Sequence, residues 1–302
     1  MWASLETFQS SETELRKIEA FYAERPMKPL AHYTSAQGLC GSLTSGTLWA
    51  THIQFLNDSK EFIHATGLAK AYMQRIKSSA RFSGFVELIE RMIERVDNMP
   101  GSTWVISLST QCDLLSQWRG YCSGGGYNLT FDPEKLEDLA KKQLFVLNRC
   151  TYDRTHQAEL IEELVEYAID SYHGFTPDKV LDSGSAEEDK RTLFCAKWFF
   201  PKMSRLASTM KDPSFHEEEE WRLIGGLYTP HVVPSHRVRG SILVPHREFD
   251  FKDPDGVTRC ISEILIGPNP NQNLADLGIF FFKQKIKIES VITRRSEIPF
   301  RA

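Results

Sequence analysis

The chain has 302 residues, 41% of them apolar and 11% aromatic, which is enough to bury a large core. A formal net charge of −4 argues against binding nucleic acid or anionic membrane over the whole surface, and leaves room only for a local basic patch. No stretch approaches the roughly 20 apolar residues that span a bilayer, and the first residues do not resemble a signal peptide. We therefore expect a cytoplasmic protein without a membrane partner.

The sequence also argues against several common catalytic classes. The six cysteines are scattered and form neither a Cys-x-x-Cys pair nor a zinc-finger pattern with histidine, so we expect reduced, mostly structural thiols. No Gly-x-Ser-x-Gly elbow, P-loop or His-Glu-x-x-His helix occurs. Serine hydrolase, P-loop nucleotidase and zinc protease activities therefore lack support.

Strand and helix signals alternate through the N-terminal half. Residues 1–28 contain a helix that Ser11 and Glu14 open as a capping box. Ser35 is placed to cap a second helix, which Gly46 ends. The other predicted elements are strands at 29–33, 47–51 and 104–108, a helix from the capping box of Asp58 and Glu61 to about 76, and a helix over 85–96.

The C-terminal half adds further strands and an acidic helical stretch. A short helix over 113–119 and a glycine-rich turn at 121–126 precede a strand at 127–131. Residues 157–210 form a helical insertion, which we interpret as a lid or a support layer. Further strands are predicted at 221–225, 242–245, 261–266 and 285–293. The pattern predicts a single α+β domain over 1–302, whose sheet is assembled from both halves of the chain.

A series of short segments carries a family resemblance. The segments are His32-Tyr33-Thr34-Ser35, then Leu48-Trp49-Ala50-Thr51 with Leu56-Asn57-Asp58 and Glu61, then Ser107-Leu108-Ser109 with Gln117-Trp118-Arg119-Gly120-Tyr121, then Glu218-x-Glu220-Trp221-Arg222, and finally Ser296-Glu297-Ile298-Pro299-Phe300-Arg301. Over residues 30–301 the series resembles a bacterial family called domain of unknown function 2971. That family looks like a remote relative of the ADP-ribosyltransferases. The resemblance implies a split antiparallel β-sheet core of ADP-ribosyltransferase type, with surrounding helices, that binds NAD as a substrate.

The resemblance also implies roles for individual residues. Cleavage of the nicotinamide–ribose bond gives the ribose oxocarbenium character, so a carboxylate placed near the developing positive charge accelerates the reaction. Glu220 is the predicted catalytic residue, and Glu218, two positions earlier, would orient a nucleophile. If this segment is extended, Glu217 and Glu219 point to the opposite face.

The same resemblance implies a set of NAD contacts. His32 would bind the adenosine ribose. Tyr33, the next residue of the same motif, is a further predicted NAD contact. The remaining contacts are Thr34 or Ser35 through the backbone, Trp118 or Tyr121 stacked on the nicotinamide, and the alternating pair Ser107 and Ser109. These serines resemble the Ser-Thr-Ser strand of the enzymes whose first motif position is arginine. Here the first motif position is His32, so the subclass stays open.

Each of these features also has a plainer interpretation. The acidic run at 217–220 is typical of a solvated strand edge, and Asp58 with Glu61 is explained as a helix cap. Trp118 is typical of core, and the glycines at 124–126 of a turn. Asp58, Glu61, Glu218 and Glu220 would alternatively suit magnesium in a nuclease or phosphatase, on a different fold.

We therefore predict an ADP-ribosyltransferase-like enzyme that uses NAD to modify a macromolecular acceptor, protein or nucleic acid, or that hydrolyses NAD. A toxin or phage-defence role follows by analogy alone. The alternative is a non-catalytic nucleotide or nucleic-acid sensor on the same fold. It draws on basic residues near the C-terminus, which are Lys283, Lys285, Lys287, Arg294, Arg295 and Arg301. A third hypothesis is a structural interaction protein that makes its contacts through the acidic helices between Glu159 and Asp189.

Overall fold

The structure is a computed structural model that describes residues 15–56, 59–98, 103–122, 125–175, 185–226, 233–252, 258–268, 274–284 and 291–299. Its helices are α1 (Arg16–Ala23), α2 (Ala36–Ser45), α3 (Ser59–Ile76), α4 (Val86–Arg95), α5 (Leu115–Tyr121), α6 (Pro133–Lys142), α7 (Arg154–Tyr172), α8 (Ala186–Phe194), α9 (Phe200–Ala207) and α10 (Leu274–Gln284). Within the described residues, no helix is both long and apolar enough to cross a membrane.

The strands are β1 (Leu30–Thr34), β2 (Thr47–His52), β3 (Trp104–Ser109), β4 (Tyr127–Phe131), β5 (Phe145–Arg149), β6 (Glu220–Gly225), β7 (Ser235–Arg239), β8 (Ile242–Asp250), β9 (Ile261–Ile266) and β10 (Ile292–Arg295). They form one 10-stranded open sheet in which the pair of β9 and β10 is parallel and every other pair is antiparallel. The prediction of an antiparallel sheet built from both halves of the chain, with surrounding helices, is confirmed. The ADP-ribosyltransferase type of that sheet stays a prediction.

The pairing of β3 divides the sheet into two wings. One edge of β3 pairs with β6 along its whole length. Its other edge is shared, because β1 pairs there at Ser109 and β2 pairs at Trp104 and Val105. Strands β4, β9 and β10 continue beyond β1, and strands β8 and β7 continue beyond β2. The middle of β3, around Ser107, therefore lies between the two wings.

Local chemistry fixes the ends of α2 as the sequence predicts. The Ser35 side chain accepts a hydrogen bond from the Gly38 backbone nitrogen at 3.1 Å. Gly46 follows the helix with φ 74°, a left-handed conformation that a residue without a side chain adopts at little cost. This helix therefore begins directly after β1, and its cap holds the end of the His32-Tyr33-Thr34-Ser35 segment in place.

Helices cover the sheet on both faces. One core cluster contains side chains from α1, α3, α4, α7, α8 and α9, and it reaches the sheet at Val105. A second cluster packs α2, α6 and α10 against residues such as Leu108 and Leu223. The predicted insertion at 157–210 contains α7, α8 and α9, and its apolar side chains belong to the first cluster. It has the packing of a support layer.

Some elements differ from the sequence prediction. Strands β5 and β7 and helices α6 and α10 were not predicted, and α5 lies two residues later than expected. Predictions at Ser11, Glu14, Asp58, Gly124 and residues 285–290 lie outside the described residues. None of the six cysteines, all of which are described, forms a disulfide.

Candidate functional site

A small cavity opens where β1, β3, β6 and α5 meet. Its volume is about 50 Å³, room for a few atoms of a ligand rather than for a whole nucleotide. The lining residues are Ala31, His32, Tyr33, Ser107, Leu108, Ser109, Gln117, Tyr121, Glu218 and Glu220. Seven of these were predicted as site residues: His32, Tyr33, Ser107, Ser109, Tyr121, Glu218 and Glu220. The structure thus brings most of the predicted site to one place.

Strand register explains this convergence for Ser107, Ser109 and Glu220. Ser109 on β3 lies opposite Ala31 on β1 and opposite Glu220 on β6. Directly opposed residues point to the same face of a sheet, and residues two apart on one strand share that face. Ser107, Ser109 and Glu220 therefore project from one face of the sheet, which we call the cavity face.

His32 reaches across the gap between the two wings. Its Nδ1 lies 3.1 Å from the backbone oxygen of Ser107. A carbonyl oxygen only accepts, so Nδ1 carries the hydrogen, and in the neutral ring Nε2 is left as an acceptor. Burial lowers the pKa of His32, and the positive charge of Arg237 lowers it further, against the opposing effect of the Ser107 bond. The ring is therefore a neutral group at pH 7, suited to accept a hydrogen bond from a hydroxyl.

Tyr33 and Trp118 have structural duties beside the cavity. The Tyr33 hydroxyl donates to the Gln111 backbone oxygen at 2.5 Å and accepts from the Leu114 backbone nitrogen at 3.0 Å. The indole of Trp118 donates to Asp113 Oδ1 at 2.7 Å and packs edge-on against the Tyr33 ring. Trp118 is 3% exposed and lies in the core, whereas Tyr121 lines the cavity and is 40% exposed. Of the two predicted stacking residues, the structure brings Tyr121 to the site.

Thr34 and Ser35 lie beyond the lining of the cavity. Ser35 caps α2, and the backbone oxygen of Thr34 accepts a hydrogen bond from the thiol of Cys122 at 3.3 Å. Ser109 serves the acidic segment instead, because its hydroxyl donates to the backbone oxygen of Glu218 at 2.6 Å. The hydroxyl of Ser109 therefore fixes the position of Glu218.

The acidic segment does not run extended as expected. A 3₁₀ helix covers Pro213–Glu218, and Glu219 has a left-handed backbone with φ 41°, so the strand begins only at Glu220. The expected extended backbone from Glu217 is therefore wrong, and strand alternation does not apply before Glu220. The left-handed turn still separates the side chains, because Glu219 turns away to bind the hydroxyl of Thr110 at 2.5 Å.

Glu218 and Glu220 meet on a buried lysine that the sequence analysis missed. Lys211 is 1% exposed, and its Nζ lies 2.6 Å from Glu218 Oε2 and 2.5 Å from Glu220 Oε2. Arg222 binds the other oxygen of Glu220, with Nε 2.7 Å from Oε1, and its Nη2 lies 3.1 Å from Glu61 Oε2. We call these five residues, Glu61, Lys211, Glu218, Glu220 and Arg222, the buried charge cluster.

Burial and charge oppose each other in this cluster. Burial alone would raise the pKa of Glu220, but Arg222 and Lys211 outweigh it and hold that pKa at about 2. Burial alone would lower the pKa of Lys211, but the carboxylates, Glu220 foremost, raise it well above the usual range. Both groups are therefore charged at neutral pH.

The backbone around Lys211 explains how a lysine is held inside the protein. The Thr151 backbone nitrogen donates to Thr209 at 2.8 Å, and the Lys211 nitrogen donates to Thr151 at 3.0 Å. The buried amide of Gln157 donates to the oxygens of both Thr151 and Lys211. At the start of β6, the Glu220 backbone nitrogen donates to the Tyr152 hydroxyl at 2.9 Å. These bonds fix Lys211 and Glu220 against the same short segment.

The remaining members were missed for a common reason, which is that their partners are distant in the sequence. Glu61 has a complete local explanation as a cap, and Arg222 as a strand residue, yet they pair across 161 positions. The carboxylates that suggested magnesium meet Lys211 and Arg222 instead, with Asp58 outside the described residues. Within the described part of the chain, no group of three or more His, Cys, Asp or Glu is arranged to hold a metal ion.

Comparison with known proteins gives one family match. A family described as "Protein of unknown function (DUF2971)" matches residues 117–223, which include most of α5, the stretch that carries Lys211, and most of β6. This match supports the resemblance to that family over those residues. The chain matches no curated protein and no solved structure.

Proposed function

We propose that this protein is an ADP-ribosyltransferase-like enzyme that binds NAD at the cavity and transfers ADP-ribose to a macromolecule or to water. The observation that carries the proposal is the convergence of His32, Tyr121, Glu218 and Glu220 on one cavity from three distant stretches of the chain. Their residue types suit this chemistry, and they are far apart in the sequence. Their meeting is more than a core-packing pattern would require.

The chemistry assigns each side chain a task. The bond between ribose C1′ and the nicotinamide nitrogen breaks, and its electron pair leaves with nicotinamide. The acceptor, or water, bonds to C1′ and gives up a proton. A carboxylate fixed beside the ribose stabilises the positive charge that develops, and Glu220 stays ionised because the positive charges of Arg222 and Lys211 hold its pKa low. Glu218 would orient the nucleophile.

The size of the cavity limits how NAD would lie. About 50 Å³ accommodates only the reacting end of the dinucleotide, since sites for drug-sized ligands usually measure about 300–1,000 Å³. The rest of NAD would extend over the sheet surface from His32, whose acceptor nitrogen suits a ribose hydroxyl. Tyr121, 40% exposed, would cover the nicotinamide.

The test is incubation of the purified protein with NAD labelled on the adenine side, with and without cell lysate, followed by measurement of free nicotinamide and of labelled macromolecules. We expect nicotinamide release that falls strongly in Glu220→Gln and is retained in Glu219→Gln. Glu219 is a matched control because its carboxylate sits one residue away but binds Thr110. Equal release from the two variants would remove Glu220 from the reaction.

One observation favours a second candidate, a non-catalytic nucleotide sensor. Both oxygens of Glu220 already lie in ion pairs, with Arg222 and with Lys211, so a ligand would have to compete with cations already in place. A sensor would bind NAD or another nucleotide without releasing nicotinamide, and Glu220→Gln would leave that binding intact. A toxin or phage-defence role is a proposal by analogy only.

A further inference from the structure

A second charged region lies on the hairpin of β7 and β8, at the end of one wing of the sheet. Arg239 and Ile242 are paired, so Gly240 and Ser241 form a two-residue turn, and Gly240 has φ 59°. At the tip, Val238 is 74% and Leu243 is 65% exposed, although they are a directly opposed pair. The hairpin tip therefore projects from the body of the protein into solvent.

The charges near the tip of this hairpin are of one sign, and its two acidic residues, Glu248 and Asp250, lie at the far end of β8. Residues 221–247 contain no Asp or Glu, in a chain whose acidic residues outnumber its basic ones, 40 to 36. Arg237 donates to the Thr51 hydroxyl at 2.8 Å and Arg239 to the Phe55 backbone oxygen at 3.0 Å, both neutral acceptors. Several other arginines of the described surface pair with carboxylates, among them Arg75 with Glu162 and Arg154 with Asp212. Across the described residues, neither hairpin arginine makes an ion pair.

An aromatic surface lies beside these arginines. Trp49 on β2 is 45% exposed, with the guanidinium of Arg237 5.5 Å from its ring centre. The ring of His246 lies 4.6 Å from that of Trp49. A guanidinium matches the geometry of a phosphate, and an exposed indole offers stacking surface to a base. Positive charge beside an aromatic ring is the combination that single-stranded nucleic acid requires.

Strand register places this surface on the cavity face. Thr51 lies opposite Val105 on β3, which shares a face with Ser107, and opposite His246 on β8. On β8, His246 shares a face with Val244, whose partner on β7 is Arg237. The charge of Arg237 also acts on His32, which lines the cavity. A single-stranded nucleic acid bound along the hairpin would therefore run toward the cavity.

We propose that the β7–β8 hairpin, through Arg237, Arg239 and Trp49, binds single-stranded nucleic acid and presents it to the cavity as the acceptor. A single strand fits better than a duplex because an unpaired nucleotide can turn toward a narrow cavity, whereas a paired one must first leave its stack. The role of the nucleic acid as acceptor rests on the proposed function, but the binding of nucleic acid to the hairpin does not.

The test measures fluorescence anisotropy of labelled 12-nucleotide RNA and DNA, single-stranded and duplex, at several salt concentrations and without NAD. We expect saturable binding of single strands that weakens at least about 10-fold in Arg237→Gln/Arg239→Gln, with a shallower salt dependence. The matched control is Arg75→Gln/Arg154→Gln, which removes the same charge from surface ion pairs elsewhere and should bind like the wild type. Trp49→Ala should weaken binding without changing the salt dependence.

Several outcomes would overturn the proposal. Equal weakening in the two double variants would reduce the effect to overall charge, and equal binding of a poly-glutamate peptide would make the partner an acidic protein. A dimer in sedimentation that the hairpin variant dissociates would mean that a second copy of the chain covers the hairpin. Absence of saturable single-strand binding would also overturn it.

Adding labelled NAD to the same oligonucleotides separates the two proposals. Label on the oligonucleotide that disappears in the hairpin variant, while NAD hydrolysis continues, supports both. Strand binding without any nicotinamide release would contradict the proposed function and leave the nucleic-acid surface standing. Nicotinamide release without strand binding would have the opposite meaning.

Discussion

The buried charge cluster and the β7–β8 hairpin place charge on the same sheet face in opposite ways. In the cluster, Lys211 and Arg222 are almost fully buried and face carboxylates at 2.5–3.1 Å. On the hairpin, Arg237 and Arg239 face neutral oxygens and solvent. Charges of the first kind hold their side chains in place and keep them ionised, and salt screens them weakly. Charges of the second kind remain available to a ligand and are screened by salt. This contrast is why we propose the chemistry for the cluster and the recognition for the hairpin.

The largest effect should follow removal of the buried lysine. Lys211→Met leaves the buried Glu220 with Arg222 as its cation, and breaking a buried pair typically costs about 3–5 kcal/mol of unfolding free energy. Chemical denaturation would measure the loss. Lys70→Met, which removes an exposed pair with Asp97, should cost less than about 1 kcal/mol and serves as the control. Similar losses in the two variants would contradict the structural importance of the cluster.

The next effect is acid sensitivity. The folded pKa of Glu220, about 2, lies below its usual 4.5, so the stability it contributes is present above pH 4.5 and is lost as the pH falls toward 2. Unfolding free energies measured from pH 6 down to pH 2 should therefore fall more steeply in the wild type than in Glu220→Gln. Parallel curves would show that Glu220 is not held in an ionised pair.

A smaller effect is expected at the cavity rim. Tyr121→Ala should leave folding unchanged, because this side chain is 40% exposed, and should raise KM for NAD about 5–10-fold if the ring covers the nicotinamide. Tyr121→Phe keeps the ring and should behave like the wild type. An alanine variant with an unchanged KM would remove Tyr121 from the binding site.

The smallest effect is the stability of the hairpin variant. Arg237→Gln/Arg239→Gln should change the free energy of unfolding by less than about 1 kcal/mol, since Arg239 is exposed, Arg237 is half-buried, and both have neutral partners. A thermal melt beside the wild type would check this. A large loss would mean that the two arginines serve the fold rather than a ligand.

Where local chemistry was informative, the sequence predicted an antiparallel sheet and most of the residues that line the cavity. Ser35 and Gly46 mark the ends of α2, and the ordered motifs around His32, Ser107 and Glu220 meet at the cavity. Lys211 could not be predicted, because its ion partners lie 7 and 9 positions away across an irregular turn and no periodicity marks a buried lysine. The missed strands differ in kind: β5 alternates between apolar and polar residues only weakly, and β7 is exposed along most of its length.

The most direct test of the account is the initial rate of nicotinamide release per folded molecule in the wild type, Glu220→Gln and Glu219→Gln. Normalising to the folded fraction is necessary, because Glu220 also stabilises the buried charge cluster. We predict that Glu220→Gln lowers the rate about 10²–10³-fold, the usual loss when one electrostatic contact to a transition state is removed. Glu219→Gln should release nicotinamide at the wild-type rate. A folded wild type that releases none, or a Glu220→Gln variant as fast as Glu219→Gln, would contradict the account.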